Sequence, residues 1–220
     1  MRLFAAIVPP QPALEDLTRV VRSVAVAPAP EPRRLFRRST NRGAHAAGRP
    51  APVSGVTKEL AATSVATMHL PISGFGNVTL GDAKTLADQL RAEVATWQCP
   101  TLRLAGGTAL EFPGDESVWA KLDGDLELLS TIGRGVPTVV QRLGFFVDRR
   151  QFRPWLSVGT ITEETTAPYL ERLVGSLESY RGEAWTVSHV SLMRRPNEAK
   201  DDQFEEMDRM PLAAPGSGPG

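Results

Sequence analysis

Cysteine occurs once in 220 residues, at Cys99. A lone thiol excludes an internal disulfide framework and a cysteine-rich zinc site. Its neighbourhood, Trp97-Gln98-Cys99-Pro100, holds no second thiol and no cation to activate it, so Cys99 reads as a packed side chain. Histidine is also scarce. His45, His69 and His189 show no ligand spacing and no accompanying Asp/Glu cluster, so neither a metal nor a cofactor is expected. Net charge is missing too: 25 basic residues balance 25 acidic ones. No whole-molecule field draws the chain to nucleic acid or to a membrane, and any electrostatic steering must be local. Long apolar runs are absent near the start. Leu3-Phe4-Ala5-Ala6-Ile7-Val8, closed by Pro9-Pro10, is too short for a signal-peptide core or a bilayer span and reads as a buried strand. A cytoplasmic protein with no membrane partner is the expectation.

What is present is ordinary globular material: 41% hydrophobic and 23% charged residues, enough for a full core in one domain or two small ones. Residues 2–8 predict a strand. Over 11–24, Leu14, Leu17, Val20, Val21 and Val24 recur at helical spacing, with Glu15 and Asp16 early and Arg19 and Arg22 later, complementing the helix dipole. Residues 26–62 break the pattern. They are rich in Pro, Ala, Gly and Arg, and no acid lies between Glu31 and Glu59. This composition cannot bury enough apolar surface to fold alone, so a mobile basic insertion is expected, either merely solvated or contacting an RNA backbone.

Further along, a strand is expected at 64–75 and a helix at 81–97, with Leu86, Leu90, Val94 and Trp97 on one face. Short strands follow at 101–105, 108–112 and 117–121, punctuated by Gly106-Gly107 and Pro113-Gly114. A helical stretch at 123–143 looks interrupted near Gly133, Gly135 and Pro137. A strand at 152–161, a helix at 163–179 and strands at 184–194 and 205–211 complete the order. The Pro/Gly/Ser-rich tail 213–220 is expected to be disordered. Interleaved helices and strands make the class α+β or α/β, and no repeat of 20–50 residues is visible.

Several segments resemble one family, in its own order. Met1-Arg2-Leu3-Phe4-Ala5-Ala6-Ile7-Val8-Pro9-Pro10 resembles the opening strand of the bacterial RNA 2′,3′-cyclic phosphodiesterases, also called 2′-5′ RNA ligases, of the two-histidine phosphoesterase superfamily. His69-Leu70-Pro71-Ile72-Ser73-Gly74-Phe75-Gly76 is similar to its first His-x-Thr/Ser-x strand, and Phe152-Arg153-Pro154-Trp155-Leu156-Ser157-Val158 to the second, which normally reads Phe-Arg-Pro-His-Leu-Thr-Leu. Leu102 to Gly106 and Val118 to Ala120 fall where the family has strands. Trp185 to Arg194 and Met210-Pro211-Leu212 resemble its last two strands. The likeness spans nearly everything except 26–62 and the tail. It implies an α+β, bilobed fold: two pseudo-symmetric, mostly antiparallel sheets around a central cleft, helices outside, and one domain over 1–212.

Opening a 2′,3′-cyclic phosphate is an in-line displacement that needs one group to take a proton from water and another, opposite, to protonate the departing oxygen. Imidazole suits both tasks, and a hydroxyl two residues along the strand shares its face and can hold a phosphate oxygen. The resemblance implies such a set, but two of its four places are changed here. Pro71 stands where the first hydroxyl belongs and Trp155 where the second histidine belongs, and Thr160 replaces a downstream arginine. His69 and Ser157 are the remaining catalytic candidates. A missing general acid or base costs about 10²–10⁴-fold in rate, and residues acting as one unit do not add. A crippled hydrolase is therefore expected.

Each candidate has a plainer reading. His69 is either a cleft group or a satisfied core histidine. Trp155 either fills the former catalytic space or offers a stacking face to a nucleobase, a contact worth about 1–3 kcal/mol. Arg153 is the second ligand-binding candidate. His45 would have to swing in from the insertion, and His189 reads as a hydrogen-bonded structural residue. Pro71, lacking an amide donor, loosens its ladder or marks a bulge. Three functions stay open: a nucleotide or RNA-end binding protein, a residual phosphodiesterase working through His69 alone, and a protein-interaction scaffold. A monomer is the expectation.

Overall fold

The computed structural model describes residues 1–26, 59–148, 151–195 and 204–213. Its first strand, β1 (Arg2–Ile7), ends at the double proline, and α1 (Gln11–Val26) follows with Leu14, Leu17, Val21 and Val24 buried, the helical spacing read from the sequence. The next described element is a short strand, β2 (Leu60–Ala62). The ends of the expected insertion are thus regular, while 27–58, including His45, lie outside the described residues.

Then come β3 (Leu70–Asn77), α2 (Leu80–Val94), β4 (Thr101–Ala109), β5 (Ser117–Gly124), α3 (Leu126–Arg142), β6 (Trp155–Ile161), α4 (Ala167–Ser179), β7 (Trp185–Thr186), β8 (His189–Arg195) and β9 (Glu205–Pro211). Two antiparallel sheets result. One has the order β3-β1-β8-β9, the other β2-β6-β5-β4-β7. The helices lie outside: α2 and α3 cover the first sheet, through β9 and β3, while α4 packs on β4 of the second and α1 packs on α4. The fold is α+β and bilobed, with the sheets facing each other. Among the described residues no helix is long and apolar enough to cross a membrane.

Local chemistry accounts for the helix starts. Thr79 caps α2 by accepting the Asp82 amide at 3.2 Å, and Thr166 caps α4 by accepting that of Tyr169 at 3.4 Å. In α2, Ala83, Leu86, Leu90 and Val94 form one buried stripe, and in α3 Leu129, Ile132, Val136, Val139 and Val140 do so. Each fully buried leucine contributes about 1.5–3 kcal/mol of burial free energy. The Tyr180 hydroxyl donates to Asp16 at 2.9 Å and ties the end of α4 to α1.

Four sequence expectations need correction. The strand expected from residue 64 begins at Leu70, because Ser64 to Met68 close a turn in which the Thr67 and Met68 amides donate to the Ser64 carbonyl. The two short strands expected over 101–112 are one, β4. Gly106, at φ +84°, is not a turn there but a bulge that shifts the register with β5 between Leu104 and Gly107. The expected single strand 184–194 is divided between sheets, β7 pairing with β4 and β8 with β1. Lastly, α3 runs unbroken through Gly133, Gly135 and Pro137. A Cβ at Gly133 would sit 2.3 Å from the Phe152 ring, and one at Gly135 would sit 2.5 Å from Trp97. These glycines permit close packing rather than ending the helix. Past β9, Ala213 stays tied down, its amide donating to Trp97 at 2.8 Å and its carbonyl accepting from the Cys99 thiol at 3.1 Å.

Two helix glycines provide a matched test. Gly133→Ala should destabilise by about 1–3 kcal/mol by overpacking against Phe152. Gly175→Ala, where a Cβ meets nothing within 4 Å in α4, should stabilise by about 0.5–1 kcal/mol. Urea unfolding midpoints of the two variants check both signs.

Candidate functional site

Alternation along two strands builds the site. Leu70 and Ile72 turn into the core at 1% and 6% exposure, which leaves His69, Pro71 and Ser73 on the opposite face. In β6, Leu156 and Val158 are likewise buried, so Trp155 and Ser157 take the other face. β3 and β6, from different sheets, pack against each other. Between the sheets lies a cleft of about 1020 Å³. His69 and Phe4 line it from the first sheet, and Trp119, Trp155 and Arg153 from the second. Three of the four sequence-derived site residues, His69, Trp155 and Arg153, thus share one cleft. Ser157 does not line it. It pairs directly with Trp119 of β5, whose indole, beside that of Trp155, stands on the cleft side.

On the first wall, the His69 Nδ1 lies 2.8 Å from the Thr67 carbonyl oxygen. A carbonyl only accepts, so Nδ1 carries the proton and the lone pair of the neutral ring sits on Nε2. Nε2 has no hydrogen-bond partner among the described residues. Phe4 and Phe204 pack on the imidazole with ring centroids 5.2 and 5.1 Å away, and Arg195 lies over Phe204 at 5.1 Å. Burial lowers the His69 pKa below 6.5, the Thr67 carbonyl opposes that, and the nearby Arg195 charge lowers it further. His69 is therefore neutral at pH 7.

Across the cleft, Trp119 and Trp155 have centroids 6.2 Å apart. The Trp119 Nε1–H donates to Asp115 at 3.0 Å, and that buried carboxylate also accepts the Ser117 and Glu111 amides, fixing the hairpin that carries the ring. The Arg153 guanidinium carbon lies 4.4 Å from the Phe112 ring centre and 4.9 Å from that of Trp155. Pro71 sits where expected, at an irregularity. The register of β1 with β3 shifts between Ala5, opposite Ser73, and Ala6, opposite Pro71. His189 lies apart from the cleft lining, its Nδ1 3.0 Å from the Ser188 hydroxyl and its Nε2 3.8 Å from Glu206. Among the described residues no group of three or more His, Cys, Asp or Glu side chains is placed to hold a metal ion.

No protein-family model matches the sequence, and no curated protein does. Solved structures do. Escherichia coli LigT complexed with 3′-AMP superposes with a TM-score of 0.64 at 16% identity, over 96% of this chain and 97% of that one. The apo form of the same protein gives 0.62 at 14% identity, over 96% and 97%. TT0787 of Thermus thermophilus gives 0.61 at 16% identity, over 98% of this chain and 100% of that one. The chain shares its fold with LigT.

Within this LigT-like fold the two walls offer unequal chemistry. A neutral imidazole with a free Nε2 can take a proton from water or from a ligand hydroxyl. The indole of Trp155 has only an N–H donor and does not exchange protons near neutral pH. One wall therefore supports proton transfer and the other supports stacking. Phe4, Phe204, Arg195, Phe112 and Trp119 were not singled out from the sequence. Phe4 and Trp119 carried a usable signal, since each alternates with buried neighbours, Leu3 and Ala5 for one, Val118 and Ala120 for the other. Phe204 carried none, because its meeting with His69 depends on how the first sheet curls.

In an NMR titration, His69 should titrate below 6.5, and Arg195→Gln should move it upward by removing the neighbouring cation. The stability linkage has a definite sign. The folded state holds His69 neutral where the unfolded chain would protonate it, so the contribution is complete above pH 6.5 and is lost as pH falls through the lowered folded-state value. Urea midpoints should accordingly fall less between pH 7 and 5 in His69→Gln than in the wild type.

Proposed function

We propose that this chain is a two-histidine-phosphoesterase relative, resembling the RNA 2′,3′-cyclic phosphodiesterases and 2′-5′ RNA ligases, that binds RNA ends or nucleotides in its cleft with its catalytic power largely lost. The observation that carries the proposal is the pairing of His69 on one wall with Trp155, not a second imidazole, on the other. Hydrolysis needs a proton acceptor and a proton donor on opposite sides of phosphorus, and only the His69 side offers either. Binding needs less. Trp155 and Trp119 give π-faces on which a base can stack for about 1–3 kcal/mol.

Charge supports the same reading. The whole chain is neutral, yet among the described residues the cleft is lined by Arg2, Arg153 and Arg195 and by one carboxylate, that of Asp148. A low-dielectric groove concentrates such a local excess and favours anionic ligands. LigT has been crystallised with 3′-AMP, with NADP+ and with ATP. In this reading His69 faces the ligand phosphate, and Trp155 and Arg153 contact the ligand on the opposite wall. Ser157, beside Trp119 and outside the lining, has no direct contact with the ligand. A residual phosphodiesterase working through His69 alone is favoured by one specific observation, the unoccupied Nε2.

Titration with 3′-AMP should quench tryptophan fluorescence, more weakly as salt rises. With a 2′,3′-cyclic nucleotide, the wild type and His69→Ala should form equally little product, while Pro71→Thr combined with Trp155→His should raise turnover by about 10²–10⁴-fold. Absence of quenching at millimolar 3′-AMP would overturn the binding proposal. Wild-type turnover that disappears in His69→Ala would establish the residual phosphodiesterase instead.

A further inference from the structure

Among the described residues Arg153 has no counter-charge. Its guanidinium lies against two aromatic rings, Phe112 and Trp155, and makes no hydrogen bond or ion pair to a described residue. A guanidinium carries a planar fork of N–H donors matched to the oxygens of a phosphate or carboxylate. Arg153 is half-buried at the cleft wall, and Asp148, the one acidic side chain among the described residues lining that cleft, has another interaction. A weakly hydrated arginine beside two aromatic rings, with no donor used by a described residue, is prepared for an anion that arrives with a ligand.

The position of this fork matters. Arg153 belongs to the second sheet's wall, on the Trp155 side, whereas the imidazole of His69, with Arg195 near it, belongs to the first. His69 and Arg153 line the same cleft from opposite walls. A ligand with two separate anionic groups can satisfy both walls at once, with its planar base free to lie on the indoles between them.

We infer that Arg153 forms a second phosphate subsite, so that the preferred ligand is a nucleotide with phosphates on both sides of its sugar. Such chemistry is carried by a free nucleoside 3′,5′-bisphosphate and by the last residue of an RNA with a 3′-phosphate. This inference rests on the nucleotide-binding reading above and adds to it the number and placement of the ligand's charges.

The test compares 3′-AMP, adenosine 3′,5′-bisphosphate and the dinucleotide ApAp, titrated into the full chain by calorimetry at fixed low salt. The wild type should bind the bisphosphate at least about tenfold more tightly than 3′-AMP. Arg153→Met, which keeps the stem but removes the charge, should bring the ratio of the two affinities close to one. Arg153→Lys, with a charge but no fork, should give an intermediate ratio. Circular dichroism of each variant confirms that it is folded. ApAp binding as tightly as the bisphosphate, with the same dependence on Arg153, identifies an RNA end as an accepted source; weaker ApAp binding assigns the subsite to free nucleotides. If 3′-AMP binds and the bisphosphate binds no better, or if the preference survives in Arg153→Met, the second subsite is refuted while the nucleotide reading stands. If none of the three binds, both are refuted.

Discussion

Everything at the site depends on the way two strands divide their side chains. β3 sends Leu70 and Ile72 into the core of its sheet, and β6 does the same with Leu156 and Val158. Strand geometry then leaves no freedom for the residues between them. Pro71 and Trp155 line the space between the sheets, and because β3 and β6 pack together they line it jointly, while Ser157 stands outside the lining. The cleft is a consequence of core burial on both sides, and its chemistry is whatever the alternate positions happen to carry.

That division separates what holds the fold from what lines the cleft. The free energy that holds the sheets comes from the inward residues and from α2, α3 and α4 behind them, all apolar and nearly fully buried. Positions 71 and 155 lie on the other face. A proline and a tryptophan there change what can be done to a ligand without removing a buried methyl group from either core. The proline still marks the ladder, as the register shift between Ala5 and Ala6 records. Trp155 offers a large stacking surface, and Trp119 and Arg153 extend it.

Much of this was legible in the residues. The first strand and the helices α1, α2 and α4 follow from periodicity. What was misread was governed by tertiary contact. Gly133 and Gly135 look like helix breakers, but they are places where Phe152 and Trp97 come too close for a side chain. Gly106 looks like a turn but is a bulge inside one long strand. Ser157 keeps its spacing from Trp155 and stands beside Trp119 of the neighbouring strand, a neighbour that spacing alone does not reveal. The enclosure of His69 by Phe4 and Phe204 joins residues far apart in the chain, and no local pattern announces it.

The most direct measurement is a crystal structure of the chain with 3′-AMP bound. The expected arrangement puts the phosphate within hydrogen-bond reach of the His69 Nε2 and the adenine against Trp155, with both strands in contact with one ligand. A nucleotide seated elsewhere, or a groove closed by its own aromatic rings with 3′-AMP excluded, would contradict the assignment of this cleft as the binding site.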